Sequence, residues 1–289
     1  MAQVSGSIPV RPTFEFGRSL QFIDVFSPCS GEQRVVNGAL EKAVQLGEHT
    51  VGFRVWGGRG ALQYTLFSAG RIDAALEAAA RDRIAFFLSV DDDLAPFFAR
   101  AARDPAMKGA LQRWRGMHHV KFIAPFEIAT WAVLGQRNPI PVARRTKDAI
   151  VERWGGRVEV DGVELRAFPT AKQWRAIPRA ELDAVVNHPR RARFLAAVAE
   201  AFEGVDEQFL RGGDFDDVEA WLRDIDGIGE WSSAFVLFRG LGRADRMPLS
   251  APMEVAARRA YGPLGQQKLR EISRSYGPHQ GYWALYLRA

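Results

Sequence analysis

Gly227-Ile228-Gly229, followed at once by Glu230-Trp231-Ser232-Ser233-Ala234-Phe235, is the stretch of this chain best equipped for chemistry. Glycines two residues apart let the backbone turn sharply and expose bare N–H groups, with the positive end of the next helix dipole behind them. Such a turn can approach a phosphate with no side chain in the way. Taken alone, a Gly-x-Gly is more often an ordinary joint between two helices. Trp231 and Phe235 stand four residues apart and so share one helix face. Basic residues flank the turn in sequence: Arg239, Arg243 and Arg246 after it, and Arg190, Arg191 and Arg193 before it. Together they can neutralise several phosphates, although a basic run is also what a solvated helix face looks like.

The elements that must position these residues can be read around them. Leu222 to Tyr261 predicts a helix, the tight turn, a second helix, a polar loop, and a third helix opening at Pro248 to Pro252. From about Asp91 the apolar residues recur every three to four positions, at 94–102, 126–134, 144–154 and 194–202, which predicts a mainly helical body. Strict alternation at 158–165 around Asp161-Gly162 predicts a small surface hairpin. Residues 1 to about 80 read as mixed α/β. Strands are expected at 50–56 and 61–67, another one or two around Asn37-Gly38, and a helix at 71–88.

Composition narrows the classes. The chain has 289 residues, 47% hydrophobic and 25% charged, as in a globular protein with a large core. No apolar run approaches the roughly 20 residues of a membrane span, and no leader of charged then apolar residues opens the sequence, so a cytoplasmic protein with no membrane partner is expected. A net charge of +5 suits a polyanionic partner without demanding one. Cys29 is the single cysteine, which excludes an internal disulfide, a cysteine-ligated iron–sulfur cluster and a multi-cysteine zinc site. Its expected role is packing.

Several ordered motifs resemble one family. Gly227-Ile228-Gly229-Glu230-Trp231-Ser232-Ser233-Ala234 resembles the hairpin of the DNA-3-methyladenine glycosylase II branch of the helix-hairpin-helix DNA glycosylases. Pro125-Phe126-Glu127 with Ala132-Val133-Leu134-Gly135-Gln136 resembles that branch's opening helix, Phe168-Pro169-Thr170 its linker, and Tyr276-Gly277-Pro278 with Tyr282-Trp283-Ala284 its closing helix. The resemblance covers residues 84 to 289 well and the first part loosely. It implies a mainly α fold, a helix-hairpin-helix glycosylase core at 91–289 with a small amino-terminal antiparallel α/β layer at 1–90. It also implies a monomer that hydrolyses the N-glycosidic bond of alkylated purines, 3-methyladenine and 7-methylguanine, in duplex DNA. Within it, Trp231 and Phe235 would stack on the flipped base, with Phe126, Trp131 and His279 lining the same pocket. Gln136, Arg137, Arg190, Arg191, Arg246 and the Gly227-Ile228-Gly229 turn would hold the DNA, with Arg137 filling the gap left by the flipped base. A cofactor is not expected, except a monovalent cation on the Gly227 and Gly229 carbonyls. Trp231 stands where bifunctional relatives carry a Schiff-base lysine, which implies a monofunctional enzyme.

One position departs from the pattern. The family's catalytic aspartate falls on Ala251, or on Ser250 if the loop slips by one. Neither can stabilise the positive sugar that forms as the bond breaks. Glu254, about one helical turn on, and Asp245 in the preceding loop are the candidate substitutes, and Ser250 the expected N-cap. Three readings stay open: an active glycosylase, an inactive homologue that binds damaged or branched DNA, and a structural relative with no DNA role.

Overall fold

The computed structural model describes residues 1–25, 32–247 and 250–288; Cys29 and Pro248 lie outside them. The amino-terminal layer begins with β1 (Ala2–Pro9) and α1 (Phe16–Val25), then β2 (Gln33–Val36), β3 (Ala39–Leu46), β4 (His49–Gly57), β5 (Ala61–Ser68) and α2 (Ala74–Leu88). The five strands form one antiparallel sheet in the order β1-β5-β4-β3-β2. Asn37 and Gly38, at φ 51° and 76°, make the β2–β3 turn the dipeptide predicts. Asp73 caps α2 by accepting from the Leu76 N–H at 2.8 Å. One face of the sheet, with Phe53, Val55 and Leu66, packs on Ile84 and Phe87 of α2. The β1 edge strand alternates between more and less buried residues along its length, but it and α1 escaped the sequence reading.

The hairpin expected at 158–165 exists as β6 (Gly156–Val160) and β7 (Val163–Ala167), with Asp161 and Gly162 both at positive φ. Its polar side, with Arg157, Glu159 and Glu164, is exposed as expected, but the other side is covered. Its apolar face (Val158, Val160, Leu165 and Ala167) covers Ala43 and Phe67 on the other face of the sheet. Gly52 makes the approach possible, because a Cβ there would stand 2.7 Å from a Val160 methyl carbon. Alternation gave the hairpin an apolar side, and the back of the sheet is the apolar surface within its reach.

The rest is helical: α3 (Ala95–Ala101), α4 (Lys108–Trp114), α5 (Pro125–Leu134), α6 (Ile140–Trp154), α7 (Ala171–Arg175), α8 (Arg179–Val186), α9 (Pro189–Gly204), α10 (Glu207–Gly212), α11 (Phe215–Asp224), α12 (Glu230–Phe235), α13 (Ala251–Tyr261), α14 (Gln266–Arg274) and α15 (Gln280–Arg288). A single π turn, Val236–Gly240, continues α12. The centre is α5, buried along all ten of its residues. A helix that is apolar on every side belongs inside. Phe126 and Trp131, expected in a ligand pocket, are therefore core residues; Phe126 packs among Phe168, Trp174 and Phe202.

Charge also crosses this interior. Lys147 of α6, 1% exposed, donates to Glu127 of α5 at 2.5 Å and to Glu32 just before β2. Lys42 of β3 completes the set, 3.3 Å from Glu32. Two carboxylates face two ammonium groups, and the set ties the sheet layer to α5 and α6.

Candidate functional site

Residues 225–229 form the joint between α11 and α12. Ile228 is buried, and its N–H donates to Ile225 O at 2.9 Å, which anchors the turn to the core. Gly227 adopts φ 95°, and Gly229 is the extended N-cap of α12. Gln136, two residues past the end of α5, donates its side-chain N–H to Gly227 O at 2.6 Å and to Ser232 Oγ at 3.0 Å. In the structure its amide fixes the turn against α5. Gly229 O accepts from Ser233 N at 2.9 Å. Each of these two glycine carbonyls retains a second lone pair, so both fit a monovalent cation as partial ligands.

An open groove of about 1110 Å³ runs along this turn, lined by Arg137, Arg190, Arg191, Gly227 and Trp231 among others. Arg137 stands at φ 47° just past α5, exposed to solvent. Arg191 donates to Gln136 O at 3.2 Å, while Arg190 and Arg193 lie 5.2 and 5.3 Å from the Phe194 ring centre. The groove is not purely basic: Asp224, Asp226 and Glu230 also line it, and Arg193 pairs with Asp226 at 3.1 Å. Arg246 is placed elsewhere. It pairs with Asp216 and lies over Phe215, because the acidic first turn of α11 draws it away. Arg243 likewise donates to Gly213 O at 2.9 Å.

Beside the groove lies a cleft of about 380 Å³, and Trp231 lines both. Trp231 is 57% exposed, so it is not a core residue, and it stacks on Phe235 with centroids 5.2 Å apart and planes 10° from parallel. The cleft continues past Phe235 to Phe238, Arg239 and Met247, and it takes in Phe22 of α1 and Arg288 of α15. Behind Phe238 stands His119, stacked on it at 4.6 Å. Burial, and then Arg239 and Lys121, hold the His119 pKa well below its ordinary value. It backs the cleft as a neutral ring.

Sequence reasoning missed most of this wall. Phe238 was within reach, since Trp231, Phe235 and Phe238 stand at i, i+4 and i+7 on one face. Arg239 was read as a phosphate contact, but it is 8% exposed in the cleft wall with its guanidinium over Phe22 at 5.1 Å. Phe22 and Arg288 had no local signal.

Three remaining candidates fall at or beyond the margin. Ala251 opens α13, exposed, between Ser250 and Pro252, which line the cleft. Ser250 holds the N-cap position, but its side chain makes no capping bond. Glu254 lies outside the cleft lining, accepting from Gln266 at 2.5 Å with Arg258 at 3.6 Å; Asp245 is paired with Arg243 at 3.2 Å. His279 is not in the cleft either. The turn Gly277–His279 aims it at Phe97 and at Asp93 O, 3.0 Å away.

Among the described residues no group of three metal-ligating side chains occurs, and no helix is long and apolar enough to cross a membrane. No family model matches the chain. In sequence it is 26% identical over 170 residues to a DNA-3-methyladenine glycosylase of Bacillus subtilis, covering 58% of this chain and 55% of that protein. It is 24% identical over 204 residues to a probable bifunctional transcriptional activator/DNA repair enzyme AlkA of Mycobacterium tuberculosis, covering 69% and 40%. The chain thus spans about half the length of the curated relatives it matches. In structure it is similar to a 3-methyladenine DNA-glycosylase from Archaeoglobus fulgidus, with a TM-score of 0.80 and 20% identity over 98% of this chain and 97% of that one. A Clostridium acetobutylicum 8-oxoguanine glycosylase/lyase solved with double-stranded DNA shares the fold at a TM-score of 0.69 and 17% identity, over 100% and 96%.

Proposed function

We propose that this chain is a member of the DNA-3-methyladenine glycosylase family of the helix-hairpin-helix DNA glycosylases, and that it binds duplex DNA and excises damaged purines, the alkylated 3-methyladenine and 7-methylguanine among them. The observation that carries this reading is Trp231, an exposed aromatic at the junction of the groove and the cleft. Stacked on Phe235 at the mouth of an apolar cleft, the ring offers a flat partner a face to stack on. A flipped base would stack on the Trp231–Phe235 pair while its strand lies along the groove. Arg137 stands where a plug would enter the emptied stack, and Arg190 and Arg191 where phosphates would pass. A monovalent cation on the Gly227 and Gly229 carbonyls would supply a positive bridge from the turn to a phosphate.

Among the described residues, no lysine lines the cleft, which supports a monofunctional enzyme. The missing carboxylate favours a second reading, an inactive homologue that binds lesions. Glu254 accepts from Gln266 at 2.5 Å and lies 3.6 Å from Arg258, outside the cleft lining, which supports this second reading.

Single-turnover release of 3-methyladenine and 7-methylguanine from methylated duplex DNA tests both. Ala251→Asp adds a carboxylate at the cleft margin, at a helix N-terminus where negative charge is favoured. It should raise release by about a hundredfold or more, the size of a transition-state electrostatic contact. Lesion binding with no release from either protein would establish the second reading and end the first.

A further inference from the structure

A second cavity, of about 240 Å³, lies between the sheet layer and the helical body. The sheet layer contributes Gly47, just after β3, and Arg83 of α2. The helical body contributes Phe126 and Glu127 of α5, Ala171 of α7 and Phe202 of α9. Two polar groups in this wall are incompletely bonded. Arg83 donates Nη1–H to Ile123 O at 3.1 Å and Nη2–H to Glu207 at 2.7 Å, but its buried Nε–H has no partner among the described residues. Lys147 donates to Glu127 Oε1, and Glu127 Oε2 is likewise buried without a hydrogen-bond partner. Buried polar groups left unpaired are rare, because each has lost its water without a replacement.

One of these two groups is a donor and the other an acceptor. A neutral amide answers both, through its C=O and its N–H. Charge points the same way: an anion would meet Glu127 and Glu207, and a cation would meet Arg83. The rest of the wall suits a flat ring. Phe126 lies 5.9 Å from Phe168 and 6.1 Å from Phe202 between ring centres, and all three line the cavity. A cavity of about 150 Å³ holds one benzene ring, so this one has room for one or two fused rings. Water alone would satisfy the polar pair and leave the aromatic wall without a packing partner. We propose that this cavity binds a small neutral aromatic amide or lactam, whose carbonyl accepts from Arg83 Nε–H and whose N–H donates to Glu127 Oε2. Such a ligand touches both layers and stabilises the fold by mass action. The site is separate from the Trp231 cleft and does not depend on the glycosylase reading.

The test is calorimetric titration and thermal melting of the full chain with isocarbostyril, a two-ring lactam. Isoquinoline has the same ring skeleton without the carbonyl and N–H, and N-methylisocarbostyril lacks only the N–H. Isocarbostyril should raise the melting temperature and bind at least about tenfold tighter than either, as a hydrogen bond to a charged group allows. Arg83→Lys keeps a cation beside Glu207 but removes the Nε–H, and should weaken lactam binding by about tenfold. Ala171→Leu fills the cavity and should abolish binding. Melts without ligand check that both variants fold, and the three probes decide the polar contacts if one does not. Equal binding of isoquinoline would reduce the site to an apolar hole and overturns the amide assignment. Tighter binding of benzoate or benzylamine overturns the neutral class. Binding that survives Ala171→Leu belongs to another surface, and no binding at all leaves the cavity to water; either result overturns the proposal. None of these results bears on duplex binding, so the glycosylase reading stands or falls separately.

Discussion

Lys147→Met lowers the stability of this protein by about 3–5 kcal/mol, the cost of stranding buried charge. Lys147 is 1% exposed, and its ammonium group is shared by Glu127, 2% exposed, and Glu32. Removing it leaves two carboxylates in the interior with Lys42 as the one cation beside them among the described residues, 3.3 Å from Glu32. The effect reaches function through α5. That helix carries Glu127, and two residues beyond its end Gln136 holds the Gly227 turn. Urea unfolding of the variant measures the loss. Adding Glu32→Gln and Glu127→Gln to Lys147→Met should recover most of it, because the neutral set no longer buries unpaired charge. A single variant within about 1 kcal/mol of the parent, the value of an exposed pair, would show that the set contributes nothing.

Acid acts on the same residues with opposite signs. Burial by itself would raise the Glu32 carboxyl, but Lys147 and Lys42 beside it bring it from 4.5 down to about 2. A depressed carboxylate contributes stability that is present above the unfolded value and lost as pH falls through the folded one. The Glu32 contribution should therefore hold at pH 5 and disappear between about pH 4.5 and 2. Burial raises Glu127, with the Glu32 charge adding to that and Lys147 opposing it. Its contribution runs the other way, present below 4.5 and lost as pH rises through the folded value. Stability curves for the parent and Glu32→Gln should converge as the pH approaches 2.

What the sequence disclosed was local. Asn37-Gly38 and Asp161-Gly162 announced their turns because each dipeptide tolerates the positive φ that a two-residue hairpin needs. The helix-turn-helix around Gly227 was legible for the same reason, and Trp231 with Phe235 because helical spacing alone puts them on one face. What it hid depends on elements distant in sequence. The hairpin at 156–167 showed an apolar side but not the sheet that covers it. Phe126 and Trp131 were assigned to the pocket although α5 is apolar on every side, a pattern that by itself argues for burial. The cleft draws Phe22 from one end of the chain and Arg288 from the other, and no spacing rule joins them.

Gly227 and Gly229 look equivalent in the sequence, yet alanine at each should give opposite failures. Gly227 holds φ 95°, where an L side chain is strained, and a Cβ there would stand 2.5 Å from Phe194 Cβ. Phe194 cannot yield freely, because the Arg190 and Arg193 guanidinium groups lie over its ring. Backbone strain and overpacking together put the cost of Gly227→Ala at about 2–4 kcal/mol. Gly229 has an ordinary extended backbone, and no atom lies within 4 Å of where its Cβ would sit. Gly229→Ala should therefore melt within about 0.5 kcal/mol of the parent. Its methyl group, however, stands in the groove beside the N–H groups offered to a phosphate. Loss of one such hydrogen bond should weaken duplex binding by about fivefold to tenfold. Calorimetry and duplex titration on the two variants separate the roles. Equal loss of stability in both would show that the turn is only a joint between helices. A stable Gly229→Ala that binds duplex DNA as the parent does would remove the phosphate contact from this turn, and the nucleic-acid path along the groove would then rest on its arginines alone.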